Sequence, residues 1–62
     1  MHFVGYTATG AIAFVALAPA DCRAAWVAPP GGGLLDITPE QAAAVRARPA
    51  AWRVEDDALV PA

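Results

Sequence analysis

The chain has 62 residues, a net charge of −2 and one cysteine, and its 58% hydrophobic content includes 17 alanines, which leaves 18 large apolar residues for a core. A lone cysteine excludes an intrachain disulfide, and one cysteine with one histidine cannot supply the four ligands of a structural zinc site. The chain has four arginines and no lysine, too few basic residues to form a stripe that binds nucleic acid. We therefore expect no cofactor, no metal and no nucleic-acid partner. A domain this small without such supports is expected to be stabilised by association with other chains.

The first predicted element is a β-hairpin over residues 2–18. Residues 2–6 are mostly aromatic or β-branched, residues 11–18 form an apolar run, and the segment between them ends in Gly10. Glycine there supplies the positive φ that short hairpin loops commonly need. Because alanine favours helices, residues 11–18 have a helical alternative; a run of eight residues ending at Pro19 favours a strand.

Both faces of the second predicted strand are apolar. Its period of two separates two sets of side chains, which are Ile12, Phe14 and Ala16 on one face and Ala13, Val15 and Leu17 on the other. A strand with a solvated face would alternate with polar residues, so we expect both faces to be covered, one of them by another chain. Phe14, Val15 and Leu17 are therefore candidate interface residues.

Residues 19–33 are predicted to form a loop with room for at most one short strand, because prolines and glycines interrupt the segment. Its Pro-Pro-Gly-Gly-Gly tract lacks the Gly-Lys-Ser/Thr ending of a phosphate-binding loop. We expect the tract to be a flexible turn that leads into a strand at residues 34–37.

The strongest local signal is the capping-box pattern Thr38-Pro39-Glu40-Gln41, which predicts a helix over residues 39–48 that Pro49 terminates. A helix of this length is not stable alone in water. Its thin apolar edge, which contains Ala42 and Val45, is therefore expected to lie on a sheet.

A second hairpin is predicted over residues 52–60, where Trp52 and Val54 share one face and charged residues share the other. The turn residues Asp56-Asp57 replace the Asp-Gly that a type I′ turn prefers. Together with Glu55 they form the single carboxylate cluster, whose spacing does not match a calcium-binding loop and which we interpret as a solvated turn.

Neither catalysis nor membrane insertion is indicated. His2 is the only histidine and serine is absent, so a nucleophile, a base and an orienting group cannot be assembled, and we expect no enzyme. The uncharged stretch 11–20 is about half as long as a bilayer span. Residues 1–10 contain no lysine or arginine, which argues against a signal peptide.

The two tryptophans are further candidates for an interface. Tryptophan is enriched among residues that dominate binding energy, and this chain has little interior in which to bury two of them. Trp26 or Trp52 is therefore expected to contact a partner; the alternative is that both fill the small core.

Two segments resemble parts of a known class of proteins. Residues 6–12, with tyrosine, a short turn, glycine and isoleucine, are similar to the opening hairpin of small bacteriophage tail-associated proteins and fibre segments. Residues 37–41 followed by 52–61 resemble the closing helix and hairpin of that class, although it usually has glycine at the position of Asp57. The resemblance implies a structural component of a siphophage-like or gene-transfer-agent-like virion, and it brings no catalytic or ligand residue.

Three classes of function are compatible with these features. The first is a virion subunit, in the tail, baseplate, fibre or capsid surface, whose partners are other virion proteins and copies of itself, without nucleic acid or membrane. The second is a small regulatory or toxin–antitoxin-type module that binds proteins in a prokaryote. The third is a secreted or membrane-associated peptide. The first accounts for the small size, the two-faced strand and the lack of catalytic residues, and it is our expectation.

Overall fold

A computed structural model describes the backbone of all 62 residues and every side chain except those of residues 23 and 24. The elements in chain order are strands β1 (His2–Tyr6) and β2 (Ile12–Leu17), a 3₁₀ helix (Ala20–Ala25), strand β3 (Gly33–Ile37), helix α1 (Pro39–Ala47), a second 3₁₀ helix (Pro49–Ala51), and strands β4 (Trp52–Glu55) and β5 (Ala58–Pro61). The predicted α+β class, with mainly β structure, is confirmed.

The strands form two antiparallel sheets. In the larger sheet the order is β2-β1-β3, so β1 is central and Val4 lies opposite both Val15 and Leu35. The smaller sheet pairs β4 with β5. The two sheets are joined where the amide of Val54 donates a hydrogen bond to the carbonyl of Gly10 over 2.9 Å.

A β-bulge interrupts the first hairpin and changes the predicted face of one residue. Gly5 pairs with Phe14 but the next residue, Tyr6, pairs with Ile12, so Ala13 is an extra residue in β2. The extra residue of a bulge shifts the alternation of side chains by one position, so residues before and after it no longer follow one strict period of two. Ile12 therefore packs in the same cluster as Val15, and the prediction that it shares a face with Phe14 is wrong.

The larger sheet has an inner and an outer face, each with its own apolar cluster. The inner face is covered by α1 and the second hairpin, through Val4, Val45 and Val54. The outer face carries Phe3 with the partly buried Phe14, together with a few small or aliphatic side chains: Ala16, Ala18 and Leu34. The core is thus split between two thin layers that share β1.

Helix α1 begins as the sequence predicts. The amide of Gln41 donates to Thr38 Oγ1 over 3.0 Å, and the amide of Thr38 donates to Gln41 Oε1 over 2.9 Å, which confirms the capping box. Ala42 and Val45 are fully buried against the rest of the protein, as expected for the apolar edge of a short helix. The helix ends at Ala47, one residue before the predicted end.

The segment 19–33 differs from the predicted loop, because residues 20–25 form a 3₁₀ helix and no strand follows at residues 26–29. Its first turn is closed by a hydrogen bond of 3.0 Å from the amide of Cys22 to the carbonyl of Pro19. Proline and alanine both suit such a turn, so the prolines of this segment interrupt strands without preventing a short helix.

The second hairpin turns through Asp56 and Asp57, whose φ angles are 51° and 60°. Positive φ at both central residues is what a type I′ turn requires, and aspartate is among the few residues besides glycine that tolerate it. On the solvated face of β4, Arg53 Nη2 donates to Glu55 Oε2 over 2.6 Å. Because this ion pair is exposed to solvent, it contributes little to stability.

Candidate interaction surface

Three aromatic side chains meet on the outer face of the larger sheet, and we refer to Phe3, Phe14 and Trp26 as the aromatic cluster. The ring centroids of Phe3 and Trp26 are 5.3 Å apart at an interplanar angle of 78°, and those of Phe3 and Phe14 are 6.5 Å apart at 84°. Phe14 and Trp26 are 5.7 Å apart and tilted by 31°. Edge-to-face pairs of this kind each add about 0.5 to 1.5 kcal/mol beyond their buried area.

Small residues around the aromatic cluster leave room for its three rings. Gly5 lies directly across from Phe14, and a Cβ atom at Gly5 would overlap the Phe14 ring, so the ring occupies space that a side chain would otherwise fill. Ala16 and Ala18 also lie on this face. Because none of these residues is large, Trp26 can approach Phe3 closely after the first 3₁₀ helix.

The cluster is buried at its centre and open at its rim. Phe3 is fully buried, Phe14 is half-buried, and 42% of Trp26 remains exposed to solvent. The following residue, Val27, is 82% exposed. A partly exposed tryptophan held by rigid aromatic neighbours is the type of side chain that anchors protein–protein interfaces.

The other predicted interface residues lie elsewhere. Leu17 is 61% exposed at the end of β2, an edge strand of the larger sheet. Val15 and Trp52 are half-buried and pack against the inner cluster around Val4. The structure thus brings Phe14 and Trp26 together, leaves Leu17 at the open edge, and assigns Val15 and Trp52 largely to the protein's own interior.

Two residues of this surface were not among the predicted interface residues. Phe3 is the buried centre of the cluster, and its position opposite Ala16 depends on the bulge at Ala13. Pairing the two strands of the predicted hairpin outward from Tyr6 and Ile12 without that bulge places Phe3 opposite Val15, so the sequence did not indicate it. Val27 gives no signal either, since a valine in an irregular segment can be buried or exposed with equal ease.

Groups with chemical reactivity are dispersed over the described residues. Cys22 is exposed, and the partly buried His2 has a buried Nδ1 atom without a hydrogen-bond partner. Tyr6 donates a long hydrogen bond of 3.4 Å to Asp57 Oδ1. Within the described part of the chain, no group of three or more potential ligands could hold a metal ion, and the surface has no pocket.

Comparisons of the chain with protein-family models, with curated proteins and with solved structures find no match. Among the described residues, no helix has the length and hydropathy needed to cross a membrane. Fold and surface together define the chain as a small α+β domain with a partly exposed aromatic cluster.

Proposed function

We propose that this chain is a non-enzymatic structural subunit of a bacteriophage virion, in the tail, baseplate, fibre or capsid surface. In this proposal the aromatic cluster binds a neighbouring virion protein. The resemblance of residues 6–12, 37–41 and 52–61 to small tail-associated proteins supports the biological setting.

The observation that supports binding most strongly is the position of Trp26. Its ring packs on Phe3 and Phe14 but keeps 42% of its surface exposed, so its orientation is fixed before any partner arrives. A pre-ordered aromatic side chain loses little conformational entropy on binding, and this favours affinity. Truncating such an anchor weakens binding by about 2 kcal/mol or more.

The setting is tested by producing particles in cells that express a tagged copy of the chain and purifying them on a density gradient. Quantitative mass spectrometry then gives the number of copies per particle. A fixed copy number set by the particle's symmetry is the expected result. A chain that remains in the soluble lysate, with none in intact particles, would contradict the virion assignment.

The role of Trp26 is tested in the same particles with Trp26→Ala, and Val27→Ala is the matched control because Val27 is apolar and more exposed. Because Val27 lies at the rim of the same surface and its truncation removes far less contact area, we expect Val27→Ala to reduce incorporation only slightly and Trp26→Ala to reduce it strongly. Equal incorporation of both variants would show that Trp26 contacts no neighbour. A melting curve of each variant separates lost binding from lost folding.

A second candidate function is a regulatory protein-binding module of a prokaryote. The observation that favours it is the complete burial of four core side chains within one chain: Phe3, Val4, Ala42 and Val45. Their burial requires no second chain. A chain of this kind would use Trp26 for a transient partner. Recovery of one host protein with the soluble chain, dependent on Trp26 and in the absence of particles, distinguishes this candidate from the first.

A further inference from the structure

The outer edge of β2 lacks the features that protect the other sheet edges of the described chain. β3 carries Asp36, β4 carries Arg53 and Glu55, and β5 ends in Pro61. Charged residues and prolines at an edge oppose the addition of a further strand. Residues 12–17 of β2 have neither, so this edge is open to pairing with another strand.

The hydrogen bonds of the first hairpin identify which backbone groups face that open edge. Met1 and Ala18 form a reciprocal pair, in which each amino or amide nitrogen donates to the other carbonyl, over 2.8 Å and 3.1 Å. Bonded and non-bonded pairs alternate along an antiparallel ladder. Leu17 and Val15 therefore point their amide and carbonyl groups away from β1, and the carbonyl of Ala13 does the same.

We propose that this edge pairs antiparallel with β2 of a second copy of the chain, about a two-fold axis at Val15. In this register Val15 exchanges hydrogen bonds with Val15 of the second copy. The amide of each Leu17 donates to the carbonyl of Ala13 in the opposite copy. The contact is isologous, since the same strand is used by both copies.

The pattern of side-chain sizes along β2 favours a second copy as the occupant. Pairing about Val15 places Leu17 opposite Ala13 and Phe14 opposite Ala16, so the two largest side chains of this overlap each face an alanine, and Val15 faces its own copy. All of these residues are uncharged, and identical copies therefore do not repel each other along the strand.

The local structure also selects this register. A shift by one bonded pair toward the start of β2 would place Leu17 opposite Ala11, whose outer side is already occupied by its bridge to Arg53. The opposite shift leaves fewer residues of β2 paired. Pairing about Val15 confines the paired residues to 13–17 and so keeps them away from Ala11 and its bridge to Arg53.

This inference deepens the proposed function and rests on it for its biological setting. Because strand pairing continues the sheet, the Phe14 side chains of both copies lie on one face. The dimer thus presents two aromatic clusters to a neighbouring protein in place of one.

The test compares two double variants of the full chain by sedimentation equilibrium. Ala13→Asp with Leu17→Asp places like charges opposite each other across the axis, whereas Ala13→Arg with Leu17→Asp places opposite charges there. Within one strand these positions are about 13 Å apart, so they do not pair in a single copy. Both positions are exposed, which favours normal folding of both variants.

We expect wild type to form a dimer, the Asp/Asp variant to dissociate, and the Arg/Asp variant to dimerise at least about tenfold more tightly than the Asp/Asp variant. Amide hydrogen exchange of Val15 and Leu17 tests the same contact in the wild-type chain without any substitution, and it should slow as the protein concentration rises. A wild-type chain that remains monomeric up to millimolar concentration, with concentration-independent exchange, would overturn the proposal. Equal dimerisation of the two double variants would overturn the register.

The failures of the two proposals are distinguishable. A monomer in solution that still has a fixed copy number in particles would overturn the β2 pairing and leave the virion role intact. A dimer with the expected charge dependence that is absent from particles would overturn the virion role and leave the pairing intact.

Discussion

The ring of Phe14 covers Gly5 on the neighbouring strand, so closely that a Cβ atom at Gly5 would overlap the ring. This relationship links the sheet to the candidate interaction surface. Phe14 in turn packs on Phe3 and Trp26, so one ring contacts both the central strand of the sheet and the partly exposed tryptophan.

Gly5→Ala is therefore expected to destabilise the fold by about 1 to 3 kcal/mol, because an overpacked site forces the ring of Phe14 out of position. Urea unfolding measures the change. The matched background is Phe14→Ala, which makes room for the new methyl group. If Gly5→Ala costs as much in that background as in wild type, the overlap with Phe14 is not its cause.

Thr38→Ala removes the hydroxyl that accepts the amide of Gln41 and should lower the free energy of unfolding by about 1 kcal/mol. Thr38→Ser keeps the hydroxyl and serves as the control, with little expected loss. Thermal melts followed by circular dichroism give both values. Equal melting of Thr38→Ala and wild type would show that the cap does not contribute to stability.

Asp57→Gly should stabilise the second hairpin by about 0.5 to 1 kcal/mol, since Asp57 has a φ of 60° and glycine adopts that conformation without steric strain. Asp57→Ala should destabilise it, because alanine tolerates positive φ less well than aspartate. Chemical denaturation of the two variants supplies the comparison. Tyr6→Phe controls for the weak hydrogen bond that both substitutions remove; a stabilisation that Tyr6→Phe reproduces would contradict the explanation by backbone strain.

Val45→Ala tests how much the contact between α1 and the sheet contributes. Val45 is fully buried beside Val4, so truncation should cost about 2 kcal/mol through lost burial and the cavity that remains. The same substitution at the exposed Val27 should change stability by less than about 0.5 kcal/mol. Similar losses of unfolding free energy for Val45→Ala and Val27→Ala would contradict the assignment of Val45 to the core.

Local signals allowed much of the fold to be predicted. The capping box at Thr38, the glycine with φ of 88° at position 10 and the alternation around Val54 each depend on a few neighbouring residues. The order β2-β1-β3 was not predicted, because pairing of residues 33–37 with β1 depends on contacts distant in the sequence. The bulge at Ala13 was missed for the same reason, since it is defined only relative to the partner strand.

The candidate surface was predicted only in part. Phe14 and Trp26 were both candidates, but nothing in the sequence indicates that they meet, because Trp26 reaches the outer face through a 3₁₀ helix that was not predicted. Val15 and Trp52 were candidates on grounds of residue type and strand pattern. Their packing against the inner cluster depends on the position of the second hairpin, which local pattern does not determine.

If the aromatic cluster binds a neighbouring protein, the solvent accessibility of Trp26 must fall in the assembled state. Oxidation of the Trp26 side chain by hydroxyl radicals, read by mass spectrometry of the peptide that carries it, can be compared between the free chain and purified particles. We expect ready oxidation in the free chain, where 42% of the side chain is exposed, and strong protection in particles. Equal oxidation in both states would contradict binding through the aromatic cluster.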